Sequence, residues 1–450
     1  MHSILTNGER KTLNKRDALR LAKERSVRFV RLSFVDILGI TKNVTIPASE
    51  LERALDGKVT FDGGSIDGFV RGEEADMMLL PDLSTFAVYP WTAGTDAVEA
   101  RLICDIATSD GEPFEGCPRT TLQRAIEDQR ELLTSVRSGL EIEFYLFALD
   151  DDGTPTTRTS DAGSYFDVSE CDRGEAARTE IVMTLEAMGL SVASAHHEHG
   201  AGQHEIDLNE VGVLAAADAL TTIRTVAKHV AARYGLHATF MPKPLETLAG
   251  SGIHVYFTMG QEPAPDETAR DDQLDEVTLW AIGGLLAHAP AFTAVCNPTV
   301  NSYKRLVAAW DAPIYTVWSY RSANSLVRVP ASNGGRRIEV RSADPSCNPY
   351  LAMAVLVASL ADGVRTRTLP GDPLTGSTYE LSELDRNKRR IRTLPKSLRQ
   401  ALEALDADPV VRGALGDHVY HAFRDAKIAE YERYRRAVHP WERDAYLRVY

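Results

Sequence analysis

Four short stretches of this chain alternate polar with apolar residues at a period of two, which reads as four strands that each present one polar face. In E-I-E-F-Y-L-F, Glu141 and Glu143 share a face opposite Ile142, Phe144 and Leu146. In HHEHGAGQHEIDL, Glu205 and Asp207 alternate with Ile206 and Leu208, and a Gly-containing turn can bring Glu198 alongside. In AGSGIHVYFTM, His254, Tyr256 and Thr258 follow a Gly-Ser-Gly turn that lets a ligand approach the backbone. In RRIEVRS, Arg337, Glu339 and Arg341 alternate with Ile338 and Val340. Any one of these is an ordinary solvated sheet face. Gathered together, their carboxylates need cations, and hard oxygen donors favour Mg²⁺ or Mn²⁺. Carboxylate-held metals beside arginines suit phosphoryl transfer. No G-x-x-x-x-G-K-[ST] loop is present, and the four histidines from His196 to His204 lack the H-E-x-x-H spacing of a zinc site.

Composition narrows the partners. A net charge of −14 disfavours binding to nucleic-acid backbones and points to small-molecule substrates. The basic run Arg386–Arg392 sits beside Glu380, Glu383 and Asp385 and reads as a solvated segment. Five widely spaced cysteines without a C-x-x-C pair indicate neither a disulfide framework nor a thiolate zinc site, so a reducing, cytoplasmic setting is expected. The first residues lack a signal-peptide core, and no stretch reads as a bilayer span.

Along the chain, a helix from Arg16 to Glu24 leads into strand-like runs SVRFVRLSFVDILG and KNVTIP. The small α+β unit closes after the strand Glu99 to Cys104, which gives an N-terminal domain over 1–108 and a larger mixed α and β domain over 109–450. Helices are expected at Thr120 to Leu133, Gly174 to Met188 and Ala215 to Tyr234. Tyr420, Phe423, Tyr431 and Tyr434 form the inward stripe of an amphipathic C-terminal helix.

The segments FDGGSIDGF, EIEFYLF, HHEHGAGQHEID, ATFMPKPL, GSGIH, NPTVNSYKRL, RRIEVRSADPSCNPYLA and VHPWERDAYL, in this order, resemble the motif set of class I glutamine synthetases. The resemblance implies an α+β fold: an N-terminal β-grasp domain, then a catalytic domain with a curved antiparallel sheet flanked by helices. It implies a homododecamer of two hexameric rings with active sites between subunits. The implied activity is ATP-dependent ligation of ammonium to glutamate through a γ-glutamyl phosphate, with two or three Mg²⁺ or Mn²⁺ ions per site. By position, Glu143, Glu198 and Glu205 look like ligands of one metal, and Glu141, His254 and Glu339 look like those of the nucleotide-side metal. Arg305, Arg341 and Gly250 resemble the amino-acid-binding residues. Arg328 and Arg337, with Tyr256 and Thr258, match the phosphate and nucleotide positions. Asp62 matches the ammonium-binding aspartate supplied by a neighbouring subunit, Tyr165 the tyrosine near it, and Asp311 the flap acid.

Several positions depart from the family pattern. N-G-S-G-M-H is replaced by Ala249-Gly250-Ser251-Gly252-Ile253-His254, and the flap G-Y-E-A-P by Ala309-Trp310-Asp311-Ala312-Pro313. R-N-R-S is replaced by Arg321-Ser322-Ala323-Asn324, with one arginine fewer. These changes leave two other readings: a γ-glutamyl-amine ligase using methylamine, ethanolamine or a polyamine, or a ligase for another acid. A non-catalytic paralogue ranks last, because a dead enzyme has no physical need to keep crowded carboxylates. Tyr379 aligns with a tyrosine adenylylated in some members, and reads here as an ordinary loop residue.

Overall fold

The computed structural model describes residues 13–66, 68, 76–133, 135–168, 170–260, 274–330 and 337–450. Asp67 and Phe69 of the first motif, FDGGSIDGF, and the N-terminal dozen residues lie outside this range. Two sheets organise the rest. The first has strands β1 (Phe29–Val35), β2 (Thr41–Pro47), β3 (Val59–Asp62), β4 (Asp76–Val88) and β5 (Glu99–Ala107) in the order β2-β1-β5-β4-β3. Only the β1–β5 pair is parallel, and helices Lys15–Glu24 and Leu51–Leu55 contribute Ala22, Leu51 and Ala54 to the core beneath it. The first of these helices is capped by the Asn14 side chain, which accepts from the Asp17 N–H.

The second sheet contains β6 (Val136–Leu149), β7 (Pro155–Thr159), β8 (Val192–His197), β9 (Gln203–Gly212), β10 (Leu236–Thr239), β11 (Ile253–Met259), β12 (Trp318–Ser319), β13 (Val327–Arg328) and β14 (Arg337–Val340). Its main path is β12-β13-β14-β11-β6-β9-β8, antiparallel except for β12–β13. The alternation seen in the sequence sorts its two faces. Ile142, Phe144, Leu146, Ile206 and Ile338 are fully buried in the core, packed with residues of helices Glu175–Ala187 and Val213–Arg233. Their charged neighbours face the other way, as the period of a strand requires.

Helix Glu276–Cys296 corrects one expectation, since by length and composition it is apolar enough to cross a membrane. Most of it is buried instead, against helices Pro349–Thr366 and Leu398–Ala407. Backbones meet directly there: a Cβ on Gly284 would fall 2.1 Å from the Ser359 carbonyl oxygen. An all-round apolar helix of this kind is the core of a large domain. The helix expected to reach Leu133 spans Pro118–Asp128, and turns closed by the Gln129 carbonyl follow it. Along the C-terminal helix Asp417–Arg436, Tyr420 and Phe423 are buried and Tyr431 packs partly against the core.

A buried guanidinium joins the first sheet to helix Val213–Arg233, which packs on the second sheet. Arg119, 3% exposed, reaches Asp82 at 2.5 Å and Asp105 at 2.8 Å on the first sheet, and Asp218 at 3.0 Å on helix Val213–Arg233. Tyr350 donates its hydroxyl to the same Asp218, at 2.8 Å. One cation shared among three carboxylates fixes the orientation of that helix on the first sheet more than a surface pair does.

Candidate active site

Strand register assembles the site. Across β11, β6, β9 and β8, His254 pairs with Glu141, Glu141 with Asp207, and Asp207 with Ser194. One step along, Glu143 pairs with Glu205 and Glu205 with His196. On the other side Arg328 pairs with Glu339, and Glu339 with Tyr256. Side chains two residues apart along a strand and directly opposite across strands share a face. Three rows of polar groups therefore stand together on the face away from the core.

The contacts follow. His254 Nδ1 lies 2.7 Å from Glu141 and 3.6 Å from Glu339, and its Nε2 lies 3.8 Å from Glu143. Tyr256 donates its hydroxyl to Glu141. Glu143 accepts from the Gln203 side-chain amide at 2.9 Å and the Gly252 N–H at 3.0 Å. Glu339, fully buried, pairs with Arg328 at 2.5 Å and with Arg341. Arg305 is held by the Ser342 and Arg341 carbonyls at 2.9 and 3.1 Å, and a Cβ on Gly250 would press against its stem at 2.8 Å. Arg337 stacks on the Tyr256 ring at 3.7 Å, while Thr258 donates to Glu210 at 2.8 Å.

These groups line a cavity of about 660 Å³ that includes Glu141, Glu143, Glu198, Glu205, His254, Gly250, Arg305, Arg328, Arg341, Tyr165 and Asp311. Glu339 is not in the lining but pairs with Arg328 and Arg341, which are, and Tyr256, Thr258 and Arg337 lie beside them on β11 and β14. Asp62 does not join them. It is exposed at the end of β3, on the first sheet, where its carboxylate accepts from the Gly64 N–H at 2.7 Å.

Sequence reasoning missed Gln203, and it assigned Asp207, His196, His199 and Phe166 no role. The period of β9 puts Gln203 on the face of Glu205 and Asp207, a signal present in the sequence. The aromatic wall, in which Tyr165 stacks on Phe166 at 4.0 Å and on His199 at 4.6 Å, comes from a loop meeting a turn and has no such signal.

Charge in the cavity is unbalanced. Burial pushes Glu198 up to about 8, with the Glu143 charge adding to it. Glu205 is held well above the ordinary carboxylate range by burial and then by Glu143, and burial also raises Asp207. At Glu141 burial acts upward too, but the hydrogen bond and charge of His254 outweigh it and bring the group to about 2. Like charges this close do not all ionise unless a cation joins them. Ligand atoms of Glu141, Glu205 and His254 lie within 4.8 Å of one another, as do those of His196, Glu205 and Asp207. Oxygen donors with one imidazole fit a hard divalent ion. A third such group, Asp161, Asp172 and His204, already holds a cation, because Arg178 lies 2.6 Å from Asp172 and 2.7 Å from His204 Nδ1.

Known proteins match nearly the whole chain. Residues 115–446 match the model of the glutamine synthetase catalytic domain, and residues 26–109 that of the glutamine synthetase β-grasp domain. A glutamine synthetase of Thermus thermophilus is 46% identical, over 97% of this chain and 99% of its own length. One of Staphylococcus aureus is 45% identical, over 98% and 100%. Among solved structures, a GmaS/ADP complex matches with a TM-score of 0.85 at 29% identity, covering 96% of this chain and 99% of its own. The Plasmodium falciparum glutamine synthetase shares the fold, with a TM-score of 0.84 at 21% identity over 96% and 99% of the two chains.

Proposed function

The chain belongs to the glutamine synthetase family, and we propose that it joins ammonium to L-glutamate at the expense of ATP, giving L-glutamine, ADP and phosphate. The observation that carries this reading is the register of β6, β9, β11 and β14, which sets carboxylates and an imidazole beside arginines in one cavity. Glu143, Glu198 and Glu205 would hold one Mg²⁺ or Mn²⁺ and Glu141, His254 and Glu339 a second. A third ion is assigned no ligands of its own. Bound there, the ions neutralise the carboxylates and the charge on ATP.

The side chains do the rest. Arg305, Arg341 and the Gly250 backbone orient the substrate carboxylates, while Arg337, Tyr256 and Thr258 hold the nucleotide and Arg328 stabilises the transferring phosphoryl group. The γ-carboxylate oxygen attacks the γ-phosphorus, ADP leaves, and the acyl phosphate so formed carries a good leaving group. Asp62 of a neighbouring subunit binds ammonium near Tyr165 and takes its proton, so that ammonia attacks the acyl carbon and phosphate departs. Asp311 shields the acyl phosphate from water. The exposure of Asp62 outside its own chain's cavity supports a shared site, and the homododecamer of two rings is what the family resemblance implies. Five free cysteines, four of them buried, support a cytoplasmic setting. The proposed division into 1–108 and 109–450 is supported by the two sheets, the first ending at Ala107 and the second beginning at Val136.

A second reading, in which the acceptor is a primary amine larger than ammonium, is favoured by the stacked Tyr165, Phe166 and His199 and by the small Ala323 on the cavity wall. Phosphate release with Mg²⁺, ATP and glutamate, against ammonium, methylamine, ethanolamine, putrescine or no amine, separates the two. The highest rate with ammonium is expected, and a higher rate with a larger amine would overturn the choice.

A further inference from the structure

The segment around Asp311 is built on an uncommon turn. Trp310 and Asp311 have φ of 53° and 57°, and the Ala312 N–H donates to the Ala309 carbonyl at 3.2 Å. Two successive left-handed residues form the mirror-image class of β-turn, which glycine and asparagine dominate. A tryptophan there is strained, and such strain persists only where the surroundings hold it.

Tyr379 supplies that hold. Its half-buried hydroxyl donates to the Ala312 carbonyl at 2.8 Å, with the Ala309 carbonyl 3.4 Å away, so it bridges both ends of the strained turn. Burial, then the charge of Asp311, pushes the phenol up to about 12, which keeps the donor protonated. Tyr379 is fixed in turn by Asn324, 6% exposed. The Asn324 Oδ1 accepts from the Thr378 N–H at 2.9 Å, and its Nδ2 donates to the Ser377 hydroxyl at 3.1 Å. Ser377 caps the short turn that carries Tyr379. Asn324 follows Ala323, so the altered A-W-D-A-P and R-S-A-N segments are joined through this one phenol.

We propose that Tyr379 is a positioning residue for the flap: anchored by Asn324, it holds the strained 309–312 turn so that Asp311 closes the cavity over the acyl phosphate. This rests on the ligase reading. Tyr379 touches no reacting atom, and its effect passes through Asp311.

The test compares wild type, Tyr379→Phe, Asn324→Ala and the double variant for amide formed, phosphate released, ammonium half-saturation and thermal midpoint. In Tyr379→Phe, glutamate-dependent phosphate release is expected to persist. Ammonium half-saturation should rise about threefold to tenfold, and amide per phosphate should fall below that of wild type. Asn324→Ala should shift the same readouts in the same direction, and the double variant should be no worse than Tyr379→Phe alone. If Tyr379→Phe keeps the wild-type ratio and half-saturation, the proposal is overturned. It is equally overturned if amide and phosphate fall in equal proportion with half-saturation unchanged, since that is the mark of a purely structural role. Should Tyr379→Phe not fold, Asn324→Ala decides by the same readouts. A wild type that releases no phosphate with glutamate and any amine would instead defeat the ligase reading.

Discussion

Gln203 shows how a single side chain acts on this site without being one of its acids. Its amide donates to Glu143 and to the Gly250 carbonyl at 3.1 Å, and its oxygen accepts from the Gly200 N–H at 2.9 Å. Replacing it with leucine leaves Glu143 one donor short and frees the loop that carries Gly250. Partners of this kind are worth about 10–100-fold in metal affinity or activity. Gln203→Leu is therefore expected to raise the half-saturating Mg²⁺ concentration by that factor, measured by titration at saturating ATP, and an unchanged Mg²⁺ curve would contradict the assignment. The acids themselves were legible in the sequence, because period-two alternation announces a polar face and the crowding of Glu141, Glu143, Glu205 and Glu339 announces a cation. Gln203 was legible by the same period but lacks a charge to attract notice. The grip of Tyr379 on the Ala312 carbonyl was not legible, since a hydrogen bond to a backbone oxygen 67 residues away leaves no trace in local pattern.

Among the packed helices, His288 joins three elements. On helix Glu276–Cys296, its Nδ1 lies 2.7 Å from Asp408, which caps helix Pro409–Leu415, and its Nε2 lies 3.1 Å from Asp362 on helix Pro349–Thr366. Burial lowers the pKa of this imidazole, but the hydrogen bonds and charges of Asp408 and Asp362 outweigh it and raise it above 6.5. A group whose folded pKa is raised stabilises fully below its unfolded value, and that contribution is lost as pH rises through the folded value. The thermal midpoint is expected to fall as pH rises above about 6.5. His288→Gln should flatten that slope, and an equal slope in wild type and variant would count against the clamp. Helices Lys15–Glu24, Glu175–Ala187 and Val213–Arg233 followed from periodicity, whereas Glu276–Cys296 and its burial did not. An apolar run of 21 residues reads alike for a membrane and for a large core, and only its neighbours decide.

For the whole molecule, the proposed mechanism needs Asp62 of one subunit to meet the cavity of another. An inactive Asp62→Asn protein mixed with an inactive Glu141→Gln protein, dissociated and reassociated, should regain activity, because some interfaces then carry both native residues. Failure to regain any would contradict the shared site. The resemblance of ordered motifs made the fold legible from end to end, while the joint at Arg119 was not, since Asp82, Asp105 and Asp218 are far apart in the chain. On the proposed mechanism, this cavity activates a carboxylate by phosphorylating it. Glutamate carrying oxygen-18 in its γ-carboxylate, incubated with the protein, Mg²⁺, ATP and ammonium, should yield phosphate with one labelled oxygen for each glutamine formed. Unlabelled phosphate would mean that water attacks ATP directly, which would contradict carboxylate phosphorylation.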